Sequence, residues 1–131
     1  MGIVEDNKVK IKEALSKFEG IGYVFLFGSS LDKMRPESDV DILLGGDLTH
    51  ADRTDLAMEL ELIFKRKVDV VLAREAPCEL VLEALSKGTQ LLAKDKAGLR
   101  NDYFKNFYLY DDARNLRELR RLRVKKRHAH G

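Results

Sequence analysis

The chain has 131 residues, enough for one hydrophobic core and too few for two, and its 44% hydrophobic content with 2 prolines and 9 glycines excludes disordered, collagen-like and repeat classes. Its 24 Lys and Arg against 22 Asp and Glu give a net charge of +2, yet residues 114–131 hold eight of the basic residues and only one acid. The body is therefore acidic and the end basic, which excludes a uniformly basic nucleic-acid coat.

The start, Met1-Gly2-Ile3-Val4-Glu5-Asp6, has neither a basic stretch nor an apolar signal core, and Asp6 stands where a myristoylation motif needs Ser or Thr. Val4, Ile11, Leu15 and Phe18 share one helical stripe, which predicts an amphipathic helix over 5–19, capped by Asp6 or Asn7 and stopped by Gly20. Tyr23 to Phe27 is an unbroken apolar run closed by Gly28, too short for a helix, and reads as a strand covered on both faces. After a turn at Gly28-Ser29-Ser30, the run Val40-Asp41-Ile42-Leu43-Leu44 lies between Pro36 and Gly45-Gly46 and predicts a second strand from about Ser38. Thr49 and Asp52 resemble a capping box ahead of a helix that Leu56, Leu60 and Ile63 carry to Arg66, with His50 a surface residue at its start.

Val68 to Leu72 is a third strand. Pro77 suits the first turn of the next helix, whose apolar face is Leu80, Val81, Ala84 and Leu85 and whose stop is Gly88. Cys78, the one cysteine, can form no internal disulfide and has no second cysteine for a metal, which fits a reducing, cytoplasmic compartment. Gln90 to Ala93 predicts a short fourth strand. A last helix begins near Leu99 and runs through Tyr103, Phe107, Tyr110 and Ala113; Leu116, Leu119 and Leu122 then leave that stripe at spacings of three, as a second face for a partner would. No run approaches the roughly 18 apolar residues of a membrane span. The order α, β, β, α, β, α, β, α is a mixed α/β (α+β) pattern: a small mixed sheet of about four strands flanked by helices, one domain over 1–122 with a C-terminal helix, then a basic, disordered tail over 123–131 that includes His128 and His130.

Three aspartates interrupt apolar strands, where a carboxylate is disfavoured and needs a partner. Asp39 and Asp41, two apart on one strand, project from the same face about 6 to 7 Å apart. Asp69 can present a third carboxylate to the same point if its strand is adjacent. An oxygen-only cluster of this kind suits Mg²⁺ held jointly by carboxylates, water and substrate phosphates, and not zinc. One Asp-x-Asp pair is expected by chance in a chain this rich in Asp, so its meaning comes from context: Gly28-Ser29 stands ten residues upstream, directly after a buried strand. Gly28 permits close backbone approach, and Ser29 and Ser30 offer hydroxyl and amide donors to phosphate oxygens. Together these residues point to phosphoryl or nucleotidyl transfer. Read as structure alone, Gly28-Ser29 is an ordinary turn with a capping serine and the arginine-rich end a solvated helix face; Asp41, between Val40 and Ile42, is what that reading leaves unexplained.

Gly28-Ser29, then Ser38-Asp39-Val40-Asp41-Ile42-Leu43, then Val68-Asp69-Val70-Val71 after an intervening helix, resemble the minimal nucleotidyltransferases of the DNA polymerase beta superfamily. Pro77 to Gly88, Gln90-Leu91-Leu92 and the helix with Phe107, Tyr110, Asp112 and Ala113 resemble the branch found as antitoxins beside HEPN-domain toxins. The resemblance implies the nucleotidyltransferase fold, with Asp39 and Asp41 binding the metal ions on the triphosphate. Asp69 would complete the metal site and help activate the incoming hydroxyl, and Gly28 and Ser29, with Ser30, would hold the β- and γ-phosphates. Where the family often carries Arg-Gly a few residues after Gly-Ser, this chain has Asp32-Lys33, and Lys33 or Arg35 would reach the triphosphate in its place.

The activity implied is Mg²⁺-dependent transfer of AMP from ATP to a hydroxyl, that of a tyrosine in the branch's usage, on a partner HEPN toxin. Two alternatives remain open: a non-catalytic antitoxin that neutralises by contact, and a nucleotidyltransferase acting on RNA or a small molecule. The short chain has no separate acceptor domain, which favours a docked protein, and the basic end from Arg114 to Arg127 offers part of a docking surface. Direct nucleic-acid binding is not expected, because no aromatic residue follows Tyr110 to stack bases.

Overall fold

The computed structural model describes residues 3–28 and 39–130. The elements are α1 (Ile3–Asp6), α2 (Lys8–Ser16), β1 (Ile21–Phe27), β2 (Val40–Gly46), α3 (His50–Phe64), β3 (Val68–Leu72), α4 (Cys78–Lys87), β4 (Thr89–Ala93) and α5 (Lys96–His130). The strands form one mixed sheet in the order β3-β2-β1-β4. β1 runs antiparallel to β2 and to β4, whereas β2 and β3 are parallel, a pairing that the crossover through α3 makes possible.

All seven residues of β1 are buried, because the sheet is covered on both faces. On one face Val24, Leu26, Ile42, Leu44 and Val70 meet Ile11 and Leu15 of α2 and Leu56, Leu60 and Phe64 of α3. On the other, Tyr23, Phe25, Phe27 and Leu43 meet Val81 and Ala84 of α4, with Leu99 of α5 at the margin. At about 25 cal/mol per Å², the fully buried Leu, Ile, Val and aromatic side chains are the main favourable term in folding.

The helix boundaries differ from the sequence reading where local tertiary constraints act. The helix expected over 5–19 is broken at Asn7 and ends at Ser16, where the Lys17 and Phe18 amides donate to carbonyls three residues back and tighten the last turn ahead of β1. The capping box at α3 forms in both directions, the Asp52 amide donating to Thr49 Oγ1 and the Thr49 amide to Asp52 Oδ2, each at 3.1 Å. α3 ends at Phe64, two residues before the expected Arg66, with Lys65 in the left-handed region at φ 56°. α5 begins at Lys96, ahead of Leu99, because Asp95 Oδ1 accepts the Gly98 amide at 2.9 Å and caps it.

α5 turns one side to the body. Leu99, Tyr103, Tyr110 and Ala113 are half-buried and Asn106 is buried, its Nδ2 donating to the Asp102 carbonyl at 2.7 Å. Below them the buried Tyr23 hydroxyl donates to Asp102 Oδ2 at 2.8 Å, joining β1 to α5. Burial first, then that carboxylate, push the phenol far above its ordinary value, so Tyr23 stays a neutral donor. Further along, Arg117 pairs with Glu79 at the start of α4 at 3.2 Å. The helix continues through 123–130 without a break, so no helix end marks the boundary expected at 122. Among the described residues, no helix is long and apolar enough to cross a membrane.

Candidate functional site

The strand register assembles the site. β1 ends at Phe27, which faces Asp41 across the antiparallel pair, and Asp41 in turn lies beside Asp69 across the parallel pair. Paired positions on neighbouring strands point to the same face about 5 Å apart, so the two carboxylates share one side of the sheet. It is the side that carries Phe25, Phe27 and Leu43, and the acids stand at its end, past the last apolar layer. Asp39 lies just ahead of β2 and not within it, two residues from Asp41, while the Val40 amide donates to the Lys67 carbonyl at 2.9 Å. Asp39 and Asp69 are exposed; Asp41 is half-buried.

Gly28 closes the site from the β1 side. Its φ of +94° belongs to the region that side chains rarely adopt, and a Cβ there would stand 2.5 Å from Asp41 Oδ2. Only glycine lets the end of β1 approach the carboxylate so closely. Ser29, Ser30, Lys33 and Arg35 lie outside the described residues.

The electrostatics at Asp41 are those of like charges held close together. Desolvation, and then the negative charges of Asp69 and Asp39, raise the Asp41 carboxyl above the usual range. The donor set is all oxygen and carries concentrated negative charge, which fits Mg²⁺. Among the described residues, no three His, Cys, Asp or Glu side chains stand close enough together to enclose a metal ion on their own. A hard cation shared with substrate phosphates and water does not need such a protein cage.

This raised carboxyl has a sign to its consequence. An acid whose titration lies higher in the folded than in the unfolded chain contributes full stability below its unfolded value, about 4, and loses it as pH rises through the folded value. Asp41→Asn removes that loss. The variant is expected to melt higher than the wild type at neutral pH in metal-free buffer and to show a flatter dependence of Tm on pH above about 4. Parallel Tm curves for the two proteins would show that the acids do not interact.

One residue beside β3 carried no sequence signal. Arg53 of α3 lines a groove of about 190 Å³ along β3 together with Asp69, and its Nε is buried without a hydrogen-bond partner among the described residues. The groove they share depends on how α3 crosses β3, which no local spacing encodes. A second, larger cleft of about 430 Å³ lies at the opposite end of the sheet, between Gly22, Tyr23, Arg74, Cys78 and the Asp102–Asn106 stretch of α5. The packing of Leu43 against α4 stands between it and the acids. His50, as expected, is exposed at the start of α3, where it pairs with Glu75.

The family described as polymerase beta, nucleotidyltransferase matches residues 9–97 of the chain. No curated protein matches it. Among solved structures, a toxin–antitoxin with AMP-PNP is 25% identical with a TM-score of 0.72, over 90% of this chain and 98% of that one. The toxin–antitoxin MntA–HepT is 23% identical with a TM-score of 0.69, over 92% and 97%. A tri-AMPylated Shewanella oneidensis HEPN toxin in complex with MNT antitoxin is 23% identical with a TM-score of 0.66, also over 92% and 97%. These likenesses extend to the mixed four-stranded sheet, its flanking helices and the C-terminal helix. The matched segment runs from α2 to the first turn of α5 and includes Gly28, Asp39, Asp41 and Asp69. With that fold and these acids in register at one end of its sheet, the chain belongs to the polymerase beta nucleotidyltransferase family.

Proposed function

We propose that the chain is the antitoxin of a HEPN-domain toxin and acts by transferring AMP from ATP to a hydroxyl of that toxin, a tyrosine being the acceptor expected. The observation that carries this reading is the register that sets Asp41 beside Asp69, with Gly28 against the Asp41 carboxylate. Support comes from the neighbouring complexes, one with AMP-PNP and one with a tri-AMPylated toxin.

In this reaction the acceptor oxygen attacks the α-phosphorus of ATP in line, the bond to the bridging α–β oxygen breaks, and pyrophosphate leaves with that electron pair. Asp39, Asp41 and Asp69 would hold Mg²⁺, which supplies charge stabilisation at the attacking and leaving oxygens. Asp69, exposed at the edge strand, takes the proton from the acceptor hydroxyl. Gly28 and Ser29, with Ser30, hold the β- and γ-phosphates through backbone amides and hydroxyls, and Lys33 and Arg35 offer cations to the same triphosphate. Cytoplasmic action follows from the ATP requirement.

The test is mass spectrometry of the toxin after incubation with the chain, ATP and Mg²⁺. AMP on a toxin hydroxyl is expected; an unmodified toxin that is nonetheless neutralised would leave contact alone as the mechanism. Addition of AMP to RNA or to a small hydroxyl compound, with the toxin untouched, would favour the other alternative.

A further inference from the structure

β3 and β4 are the two edges of the sheet, and among the described residues β4 has no strand on its outer side. A sheet edge is a ready template for another chain and is ordinarily guarded by a charge or a proline within the strand. β4 is Thr89-Gln90-Leu91-Leu92-Ala93 and has neither. Thr89 and Gln90 are exposed and the next three residues half-buried, so solvent reaches the strand along its length. Its one irregularity, a register shift that leaves Leu91 unmatched on β1, interrupts the strand without covering it. Each face of this edge opens into a groove with apolar walls. On the α5 side a groove of about 550 Å³ is walled by Phe25, Leu85, Leu99, Tyr103 and Phe104, and on the α2 side one of about 290 Å³ is walled by Val4, Ile11 and Leu91. Gln90 borders both. A strand laid against β4, about 4.8 Å further out, sends successive side chains to opposite faces of the sheet, and so into one groove and then the other.

Charge then selects the strand. Lys96 and Arg100, one turn apart on α5, line the first groove, and no acid does; Lys8 and Lys12 line the second with one acid, Glu5. Lys87 and Lys94 stand just before and just after β4. Among the described residues none of these six cations holds an ion pair, and the carboxylate of Asp95 is taken up by the Gly98 amide. A second copy paired antiparallel through β4 would set Lys87 of one copy against Lys94 of the other at both ends, like charges directly opposed. A membrane surface would leave the amides and carbonyls of the edge without partners. An extended protein segment with an apolar middle and acidic ends meets all three demands, for backbone pairing, for apolar side chains on both faces and for negative charge.

We propose that the outer edge of β4 is a docking site for an extended, acid-ended segment of a partner protein, which adds to the sheet as a fifth strand. Its apolar side chains fill the two grooves, and its carboxylates pair with the lysines and the arginine around them. The edge is one that AMP transfer does not use, since Asp41 and Asp69 lie on β2 and β3.

The test uses the full chain and three labelled synthetic peptides with the same Val-Phe-Val-Leu middle: one with Glu-Asp and Asp-Glu ends, one with Lys at the four end positions, and the acidic one with alternate backbone amides N-methylated. Fluorescence anisotropy is expected to show binding of the acidic peptide that weakens with salt, and none of the Lys-ended one. N-methylation removes the strand's donors and leaves its side chains, and is expected to weaken binding at least about tenfold. The double variant Lys96→Glu, Arg100→Glu is expected to lose at least about tenfold for the acidic peptide and to gain binding of the Lys-ended one. Both positions are exposed, so the variant should keep the circular dichroism and Tm of the wild type. Equal binding of the N-methylated peptide would overturn strand addition, and equal binding of the acidic peptide by the double variant would overturn the charge selection. A wild-type chain that sediments as a dimer until the acidic peptide dissolves it would give the edge to a second copy instead.

Discussion

Asp39→Asn and Asp41→Asn each lower AMP transfer to the toxin by about 10³-fold or more while leaving the chain folded. Loss of a carboxylate that positions a cation on the reacting phosphate removes several kcal/mol of transition-state stabilisation, and about 4 kcal/mol corresponds to three decades in rate. The fold tolerates the change because Asp39 is exposed ahead of β2, and Asp41 is a carboxyl that the folded state disfavours in its charged form. The same variants should lose the rise in Tm that Mg²⁺ with ATP gives the wild type, since a ligand stabilises in proportion to its affinity for the folded state. Turnover by quantitative mass spectrometry and Tm by calorimetry check both statements. Activity above a tenth of wild type would remove these acids from the chemistry. Full neutralisation of the toxin by the double variant would assign the antitoxin effect to contact.

The second large effect concerns the end of the sheet far from the acids. Gly46 closes β2 at φ +129°, and a Cβ there would overlap the Gly20 carbonyl oxygen and lie 2.5 Å from the Gly22 nitrogen. Those are backbone atoms at the irregular start of the β1–β2 pairing, where the register shifts between Ile21 and Tyr23. They cannot swing aside as a flexible side chain would. Gly46→Ala is therefore expected to cost about 3 kcal/mol from strain and overpacking together. At roughly 3 °C per kcal/mol for a chain of this size, the melting temperature falls by about 10 °C. The response to Mg²⁺ with ATP should persist below the new Tm, because Gly46 lies five residues from Asp41 along β2. A Tm within about 2 °C of wild type would show that the β1–β2 junction relaxes freely.

Much of the fold was legible because its signals are local. The apolar run of β1, Pro77 and Gly88 around α4, and the Thr49–Asp52 box each act within a few residues, and each stands where it was expected. The pairing of Tyr23 with Asp102, 79 residues apart, was not legible, nor was the burial of Asn106 against the body. Both depend on where α5 crosses the sheet. Asp39 shows the same limit on a smaller scale: alternation with Asp41 placed it in a strand, but the pairing of β2 with β3 begins only at Val40. Arg53 carried no signal, since the groove it lines with Asp69 is a matter of packing angle.

The sequence by itself determined the acidic body and basic end, the succession of helices and strands, and the residue types from which a cation and phosphate site can be built. Those properties follow from composition and from the two side-chain periods, 3.6 and 2, which any chain carries before it folds. The tertiary structure decided the strand order β3-β2-β1-β4 and the parallel register that sets Asp41 beside Asp69 with Gly28 closing on them. It also decided which side of α5 the body covers and which it leaves exposed. Hydrogen bonds between strands and the closure of two apolar layers join residues far apart in the chain, and no local pattern states which of the possible pairings has the lowest free energy.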